Sequence, residues 1–337
     1  MGVKFAPLNI PFERRMQTLA VMHYIFMFLI SPVIALWVPV YMFFYTQYWY
    51  LVVFYLAWMY WDFDTPKRGN RVSEWAKDWR LFRYFRDYFP IRLVKTAELD
   101  PNRNYVFGYH PHGVTSAGAF INFATNATDF QKVFPGIKSH LLTLVGQFWY
   151  PIRREYIQFF DVHESSKEAM AYLLSQPTKG HAVVIVVGGA AEAVDAAPGK
   201  YNLTLKKRKG FVKQAIKLGA DLVPVFSFGE NDLFLQVESS PESRMRRFQL
   251  WLKKYTGIPP MMFHGRGVFN YTFGLMPYRR PIHTVVGKPI SVTQCDNPTM
   301  EMIDRSHQRY MDGLNELFET HKHKYGVPED AHLNIVF

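Results

Sequence analysis

The chain has 337 residues, 39 Lys and Arg against 28 Asp and Glu, a formal charge of +11, and one cysteine, Cys295. That length excludes a disulfide-stapled miniature, and the lone cysteine excludes an internal disulfide framework or a Cys-rich zinc site and suits the reducing side of a membrane. Aromatic residues at 17% and charged residues at only 20% exclude a disordered chain, because that much Phe, Tyr and Trp has to leave water.

The apolar content is concentrated at the start. After a short N-terminus (residues 1–15), residues 16–61 contain no Asp, Glu, Lys or Arg. As one helix they would run roughly 70 Å, about twice the ~30 Å hydrocarbon core. The segment is therefore expected to fold back as a membrane hairpin, with spans at Leu19 to Val38 and Tyr48 to Trp61, a turn at Thr46-Gln47, and interruptions at Pro32 and Pro39. A re-entrant hairpin is the alternative. Lys4, Arg14 and Arg15 precede the stretch and Lys67, Arg68 and Arg71 follow it, which puts both flanks in the cytosol under the positive-inside rule. A cleavable signal peptide does not fit, since the apolar part is too long. In residues 62–90, Trp75, Trp79, Phe82 and Phe89 fall on one side of a helix and Lys77, Arg80 and Arg83 on the other. This predicts a helix lying in the membrane interface; packing on the protein's own core is the alternative.

Residues 91–337 alternate between strand and helix patterns and read as one α/β domain. Strands are expected at Tyr105 to Tyr109, Leu141 to Val145, Ala182 to Val187, Leu222 to Ser227 and Thr284 to Val286. Helices are expected after the Ser165/Glu168 capping box, from Gly210 to Leu218 with a stop at Gly219, and over Glu242 to Tyr255 and Met300 to Lys324. Positive charge with abundant aromatics also suits nucleic acid, but the uncharged stretch and the lack of an RNA-binding motif point to membrane lipid as the partner.

The most informative segment is Tyr109-His110-Pro111-His112-Gly113. A strand runs into two histidines separated by a proline, which cannot donate to a sheet and ends it there. Gly113 allows close backbone approach, and Thr115 or Ser116 can cap a helix beginning near Val114. Imidazole beside a helix start suits acyl transfer: a base near neutral pKa takes a hydroxyl proton, and N–H groups after the turn, from Gly113 and Val114 onward, hold the carbonyl oxygen's charge. The competing readings are a zinc pair and a structural turn. No His-Glu-x-x-His or other clustered ligand motif accompanies the pair, so no metal is assigned. Cys295 lies in a polar Gln294-Cys295-Asp296 segment with no histidine nearby in sequence, and no Gly-x-Ser-x-Gly elbow occurs, so direct transfer is preferred to a covalent intermediate.

A second constellation follows the third expected strand. Gly188-Gly189-Ala190-Ala191-Glu192 offers close backbone approach and a carboxylate, Glu192, able to orient an imidazole. Lys206-Lys207-Arg208-Lys209-Gly210 places four cations at a helix start, able to meet phosphates; a solvated or lipid-facing basic surface is the alternative.

Together with Tyr88-Phe89-Pro90, Phe228-Gly229-Glu230-Asn231 and His264-Gly265-Arg266-Gly267, these segments stand in the order found in the diacylglycerol acyltransferase type 2 family, which the whole chain resembles. Within that family, Phe5-Ala6-Pro7-Leu8, Val94 to Pro101 and Tyr278-Arg279-Arg280-Pro281 are similar to its monoacylglycerol acyltransferases. The resemblance implies a glycerolipid-acyltransferase-like α/β domain behind a membrane hairpin. It implies a multi-pass endoplasmic-reticulum enzyme facing the cytosol that moves a long-chain acyl group from acyl-CoA, a substrate and not a cofactor, to monoacylglycerol. Diacylglycerol or a fatty alcohol is the alternative acceptor, and a non-catalytic lipid-binding protein the alternative class. On this reading His112 is expected as the base, with His110 the alternative, and His110 and Glu192 are expected to position or assist it; Arg208, Lys209 and Gly210 are expected at acyl-CoA, and Tyr88, Phe89, Pro90, Gly188, Gly189, Glu230, Asn231, His264 and Arg266 are the other family-motif positions. Phospholipid acyltransferases carry His-x4-Asp; here Thr115 and Ala117 stand five residues after His110 and His112, so an orienting acid must come from elsewhere.

Overall fold

The computed structural model describes residues 2–7, 9–236 and 263–336; the expected helix over Glu242 to Tyr255 lies outside them. The uncharged N-terminal stretch is helical. One continuous helix runs from Phe12 to Tyr45, 34 residues, long and apolar enough to cross a membrane. A second, Trp49–Trp61, folds back against it after a turn beginning at Thr46, where the sequence placed one. The prolines do not interrupt the first helix. Pro32 follows a π-helical segment, Phe26–Ile30, where the α-helical ladder is already interrupted, and the Met27 carbonyl there accepts from the Ser31 hydroxyl and the Arg153 guanidinium. Pro39 lies inside the next α-helical stretch, Ser31–Tyr45. Trp37 (69% exposed), Tyr41 (60%) and Phe44 (69%) leave an apolar surface that no part of the described chain covers.

The interfacial helix expected in residues 62–90 is replaced by two short helices, Glu74–Lys77 and Arg80–Tyr88, joined at a sharp turn. Phe82, Phe85, Tyr88 and Phe89 point into the protein, with Phe82 edge-on to Phe120 and Phe160. An amphipathic face has the same pattern whether it meets lipid or a sheet, and here the helix Phe12–Ile25 and the sheet claim it. Trp75 alone of that face stays exposed.

The α/β domain is built on a seven-stranded sheet. Its members are β1 (Arg92–Lys95), β2 (Tyr105–His110), β3 (Lys138–Thr143), β4 (Val162–Glu164), β5 (His181–Val186), β7 (Asp221–Phe228) and β10 (His283–Val286), in the order β1-β10-β7-β2-β5-β3-β4. Short pairs form between β6 (Asn202–Thr204) and β11 (Asn334–Val336), and between β8 (Leu235–Gln236) and β9 (Phe263–His264). All neighbours in the large sheet are parallel except β10 and β7. Burial alternates along the central strands. Phe107, Tyr109, Val184 and Val225 face the side covered by Phe12–Ile25, Arg80–Tyr88 and Ala117–Phe123; Val106, Val183, Leu222 and Phe226 face Lys167–Leu174, Gly210–Leu218 and Met300–His321. Both faces are covered, as a mostly parallel sheet requires.

Local signals locate several elements closely. Gly210–Leu218 ends at Gly219 in the left-handed region, and Met300–His321 opens with the Thr299 hydroxyl accepting from the Met302 N–H. Lys167–Leu174 is capped by Ser166, one residue later than the capping box suggested. β3 starts at Lys138 and ends before Val145, three residues earlier than its apolar run suggests, because Ser139 and His140 are buried polar members of the strand.

Candidate active site

The carboxyl ends of β2, β5 and β7 lie side by side, with Tyr109 opposite Val186 and Val225. The three loops leaving them carry the three conspicuous motifs: His110 to Gly113, Gly188 to Glu192, and Gly229 to Asn231. This is the crevice position where open α/β sheets bind ligands.

The two histidines, one proline apart across a cis His110-Pro111 bond, have different surroundings. His110 is fully buried. Its Nε2 lies 2.9 Å from the Tyr310 hydroxyl, which itself donates to the Gly108 carbonyl at 3.0 Å. With that hydroxyl proton spent, His110 Nε2–H must be the donor, and burial lowers its pKa to about 3. Gly108 is required here, since a Cβ would stand 1.9 Å from the Tyr310 oxygen. His112 is only half-buried. Its Nδ1 lies 2.9 Å from the Gly113 carbonyl, an acceptor only, so Nδ1 carries the proton and Nε2 holds a free lone pair. Burial lowers the His112 pKa too, keeping the ring neutral at pH 7.

Two carboxylates hold this turn, and neither touches an imidazole. Glu192 Oε2 accepts from the His112 backbone N–H at 2.9 Å and Oε1 from the Thr204 N–H at 2.8 Å. The expectation that Glu192 orients a ring is thus corrected: it fixes the main chain of the turn against β6. Glu230 Oε2 accepts from the Tyr109 hydroxyl at 2.9 Å and the Gly118 N–H at 3.0 Å. It caps the helix Ala117–Phe123; Ser116, expected as a cap, donates instead to the His112 carbonyl at 3.0 Å. Gly113, at φ 59°, lets the turn pass over Glu230, where a Cβ would meet its Cγ at 2.6 Å. Burial pushes both carboxyls up to about 7 against the pull of their N–H partners. Glu230 and Tyr310 were not legible as parts of the turn's support. The first was visible only as a motif residue, the second as an ordinary aromatic in an amphipathic helix.

The remaining motif residues separate into two groups. Arg208 is exposed, and its charge reaches Glu192; Lys209 pairs with Asp304 at 2.7 Å, and Gly210 opens the helix. Gly188 and Gly189 begin the helix that carries Glu192, and Val114 is buried beneath the turn. Asn231 follows Glu230 and donates to the Lys200 carbonyl at 2.8 Å. The Tyr88-Phe89-Pro90 and His264 to Gly267 motifs meet each other away from this turn: Arg266 Nε donates to the Tyr88 hydroxyl at 2.7 Å, and Arg279 stacks on the Tyr88 ring at 4.0 Å. Phe89 is buried beside Tyr88, Pro90 is exposed, and His264 lies in β9.

Pro111 of the turn, though neither of its histidines, lines a cavity of about 640 Å³ together with Ser227, Asn231, Arg280, His283 and Lys324. The first helix also reaches the site: the Tyr24 hydroxyl donates to the Thr115 carbonyl at 2.7 Å and its ring packs on Phe120.

An α/β domain with a neutral imidazole at the carboxyl end of its sheet, joined to a long apolar helix, is the class that fold and site define. The diacylglycerol acyltransferase profile matches residues 41–336, and the chain belongs to that family. It is 51% identical over 333 residues to bovine (Bos taurus) 2-acylglycerol O-acyltransferase 1, covering 99% of each chain. It is 49% identical to the human (Homo sapiens) protein of that name, covering 98% of each, and 47% identical to human diacylglycerol O-acyltransferase 2, covering 96% of this chain and 83% of the relative. Among solved structures, the 1-acyl-sn-glycerophosphate acyltransferase of Thermotoga maritima aligns over 89% of this chain and 97% of its own at 11% identity and a TM-score of 0.40.

Proposed function

We propose that this protein transfers a long-chain acyl group from acyl-CoA to a hydroxyl of 2-monoacylglycerol, giving diacylglycerol and CoA in neutral-lipid synthesis. The observation that carries the mechanism is the His112 tautomer: Nδ1–H is committed to the Gly113 carbonyl, and the neutral ring keeps its Nε2 lone pair. His112 Nε2 takes the acceptor's hydroxyl proton as its oxygen attacks the thioester carbonyl, and the imidazolium returns that proton to the departing CoA thiolate. The main-chain N–H groups of Gly113 and Val114 are the donors proposed for the oxyanion, because Glu230 already occupies that of Gly118. His110 and Glu192 support the turn rather than touch the reacting atoms. Arg280 and Lys324 give the adjacent cavity the charge to hold CoA phosphates, and Arg208, whose charge reaches Glu192, is the further cation proposed for them. In this reading the hairpin of residues 12–61 sits in the endoplasmic-reticulum membrane and the α/β domain faces the cytosol. The apolar exposed surface of that hairpin and the cations flanking it support this orientation.

Identity to 2-acylglycerol and diacylglycerol acyltransferases differs by only a few per cent, so acceptor choice rests on assay. Purified protein in detergent, given labelled acyl-CoA and a panel of monoacylglycerols, diacylglycerols and fatty alcohols, should yield mainly diacylglycerol from 2-monoacylglycerol. Preferential wax ester or triacylglycerol formation would reassign the acceptor. A glycan on Asn126, Asn202 or Asn270 would reverse the orientation.

A further inference from the structure

At the opposite end of the sheet from the His110 turn, three neighbouring strands bring four titratable side chains to one face. His140 in β3 stands level with Asp161, which immediately precedes β4; His163 lies two residues further along, and His181 opens β5 level with Lys138. In parallel register these positions share a face, and His140, Asp161 and His163 are each at most 3% exposed. Asp161 Oδ1 is a hub: His140 Nδ1 lies 3.0 Å and His163 Nε2 2.7 Å from it. Asp161 Oδ2 and His163 Nδ1 have no hydrogen-bond partner among the described residues, and Lys138 Nζ stands 4.0 Å from Oδ2.

We propose that His140 Nδ1, Asp161 and His163 Nε2 supply three ligands of a site for a zinc-class divalent cation, with water in the fourth position, separate from the acyl-transfer site. Two imidazole nitrogens and a carboxylate are a donor set that zinc favours, and the candidate ligand atoms lie within 4.8 Å of one another. Ligands at about 2.0 Å from one ion stand roughly 3.3 Å apart, so the two Asp161 contacts, at 3.0 and 2.7 Å, would lengthen and the two ring nitrogens, within 4.8 Å of each other, would draw together. The surroundings fit the protonation that ligation demands. With Nδ1 on the metal, His140 Nε2–H faces His181 Nδ1 at 2.9 Å, and His181 Nε2–H faces the Thr178 hydroxyl at 3.0 Å. This is the outer relay that fixes a ligating imidazole. The ion would tie β4, at the sheet edge, to β3 and β5.

The test is metal content of the full-length protein in detergent, loaded with zinc sulfate and dialysed against metal-free buffer. About one zinc per chain is expected. His163→Gln keeps an N–H donor toward Asp161 and His140→Asn one near the Nδ1 position, so each preserves the hydrogen bond while removing the ligand nitrogen. Each should lower zinc retention at least ~10-fold. Wild-type protein that retains no zinc, or full retention in both variants, overturns the site. Should the variants fail to fold, cobalt(II)-loaded wild type must show the intense visible bands of a four-coordinate nitrogen and oxygen site; a weak octahedral spectrum overturns the proposal equally.

Discussion

The two ends of the sheet use the same residue types in opposite ways. At the carboxyl end, Glu192 and Glu230 accept from main-chain N–H groups and leave the imidazole of His112 unpaired at Nε2 among the described residues. At the other end, Asp161 accepts from imidazoles, and His140 is hydrogen-bonded at both of its nitrogens. A histidine available for proton transfer needs its turn held by something other than its ring. A histidine that takes part in holding strands together does so through its ring, as His140 and His163 do on Asp161. The contrast recurs within the active turn: His110 resembles the second end in being buried and hydrogen-bonded through its ring, and His112 alone combines a fixed tautomer with partial exposure.

The largest effect that would break this comparison is on chemistry. His112→Ala should reduce kcat by at least ~100-fold, the usual scale for a general base, with secondary structure unchanged by circular dichroism. His110→Gln retains an N–H for the Tyr310 hydroxyl and should keep activity within a few-fold. Equal losses in the two variants would erase the distinction between them. The pH profile adds a sign. His112 must be neutral to act, so kcat/KM should fall as pH drops through its lowered pKa, placing the acid limb below pH 6.5.

The next effect is on stability. Glu230 ordinarily ionises near 4.5 but is raised to about 7 in the fold. Between those values the folded state holds a proton that the unfolded state has lost, so stability falls as pH rises through that window. The loss for this group is on the order of 3 kcal/mol. Glu230→Gln can still accept from Tyr109 and Gly118 through one oxygen but cannot ionise. The thermal midpoint of wild type should therefore drop more between pH 5 and pH 8 than that of the variant. Parallel profiles would show that Glu230 is ionised throughout.

How far these roles were legible follows from the range of the interactions. Gly219 ends its helix through its own backbone, and the run Leu222 to Ser227 is β-branched and aromatic on its face, so both could be read locally. The His110-Pro111-His112-Gly113 turn was legible as a break in a strand. Its supports were not: Tyr310 reaches His110 from 200 residues away, and Glu192 binds an N–H that every residue but proline carries. The start of β3 was hidden because Lys138-Ser139-His140 lacks an apolar signature, although the buried cluster accounts for it. Asp161-Val162-His163 offered the only local cue to that cluster, an acid and a histidine two residues apart on one strand face. The face of the Arg80–Tyr88 helix admitted both lipid and the protein's own core, because periodicity reports an apolar face without saying what covers it.

A smaller effect concerns the cavity beside Pro111. Lys324→Gln with Arg280→Gln removes two cations from its wall and should raise KM for acyl-CoA roughly fivefold, about 1 kcal/mol, as expected for solvated charge contacts. KM for monoacylglycerol should stay unchanged. A rise in both constants would mean the cavity receives the acceptor, and no rise in either would move the CoA site toward Arg208.

The smallest expected effect asks whether the N-terminal helix is only an anchor. Tyr24 lies one residue before Ile25, where the α-helical segment gives way to the π-helical one, and its hydroxyl donates to the Thr115 carbonyl within the turn that follows His112. Arg153 reaches in the other direction, from the α/β domain to the Met27 carbonyl and, at 3.1 Å, the Ser31 hydroxyl. Helix and turn are thus pinned by polar contacts as well as by packing on Phe85 and Phe120. Tyr24→Phe keeps the ring and deletes one hydrogen bond, a change of about 1 kcal/mol. If the contact positions the turn, kcat should fall a few-fold with both KM values and the thermal midpoint nearly constant. If the helix merely anchors the domain, the midpoint should move and kcat should not, and the acyl-transfer site would then belong to the sheet alone.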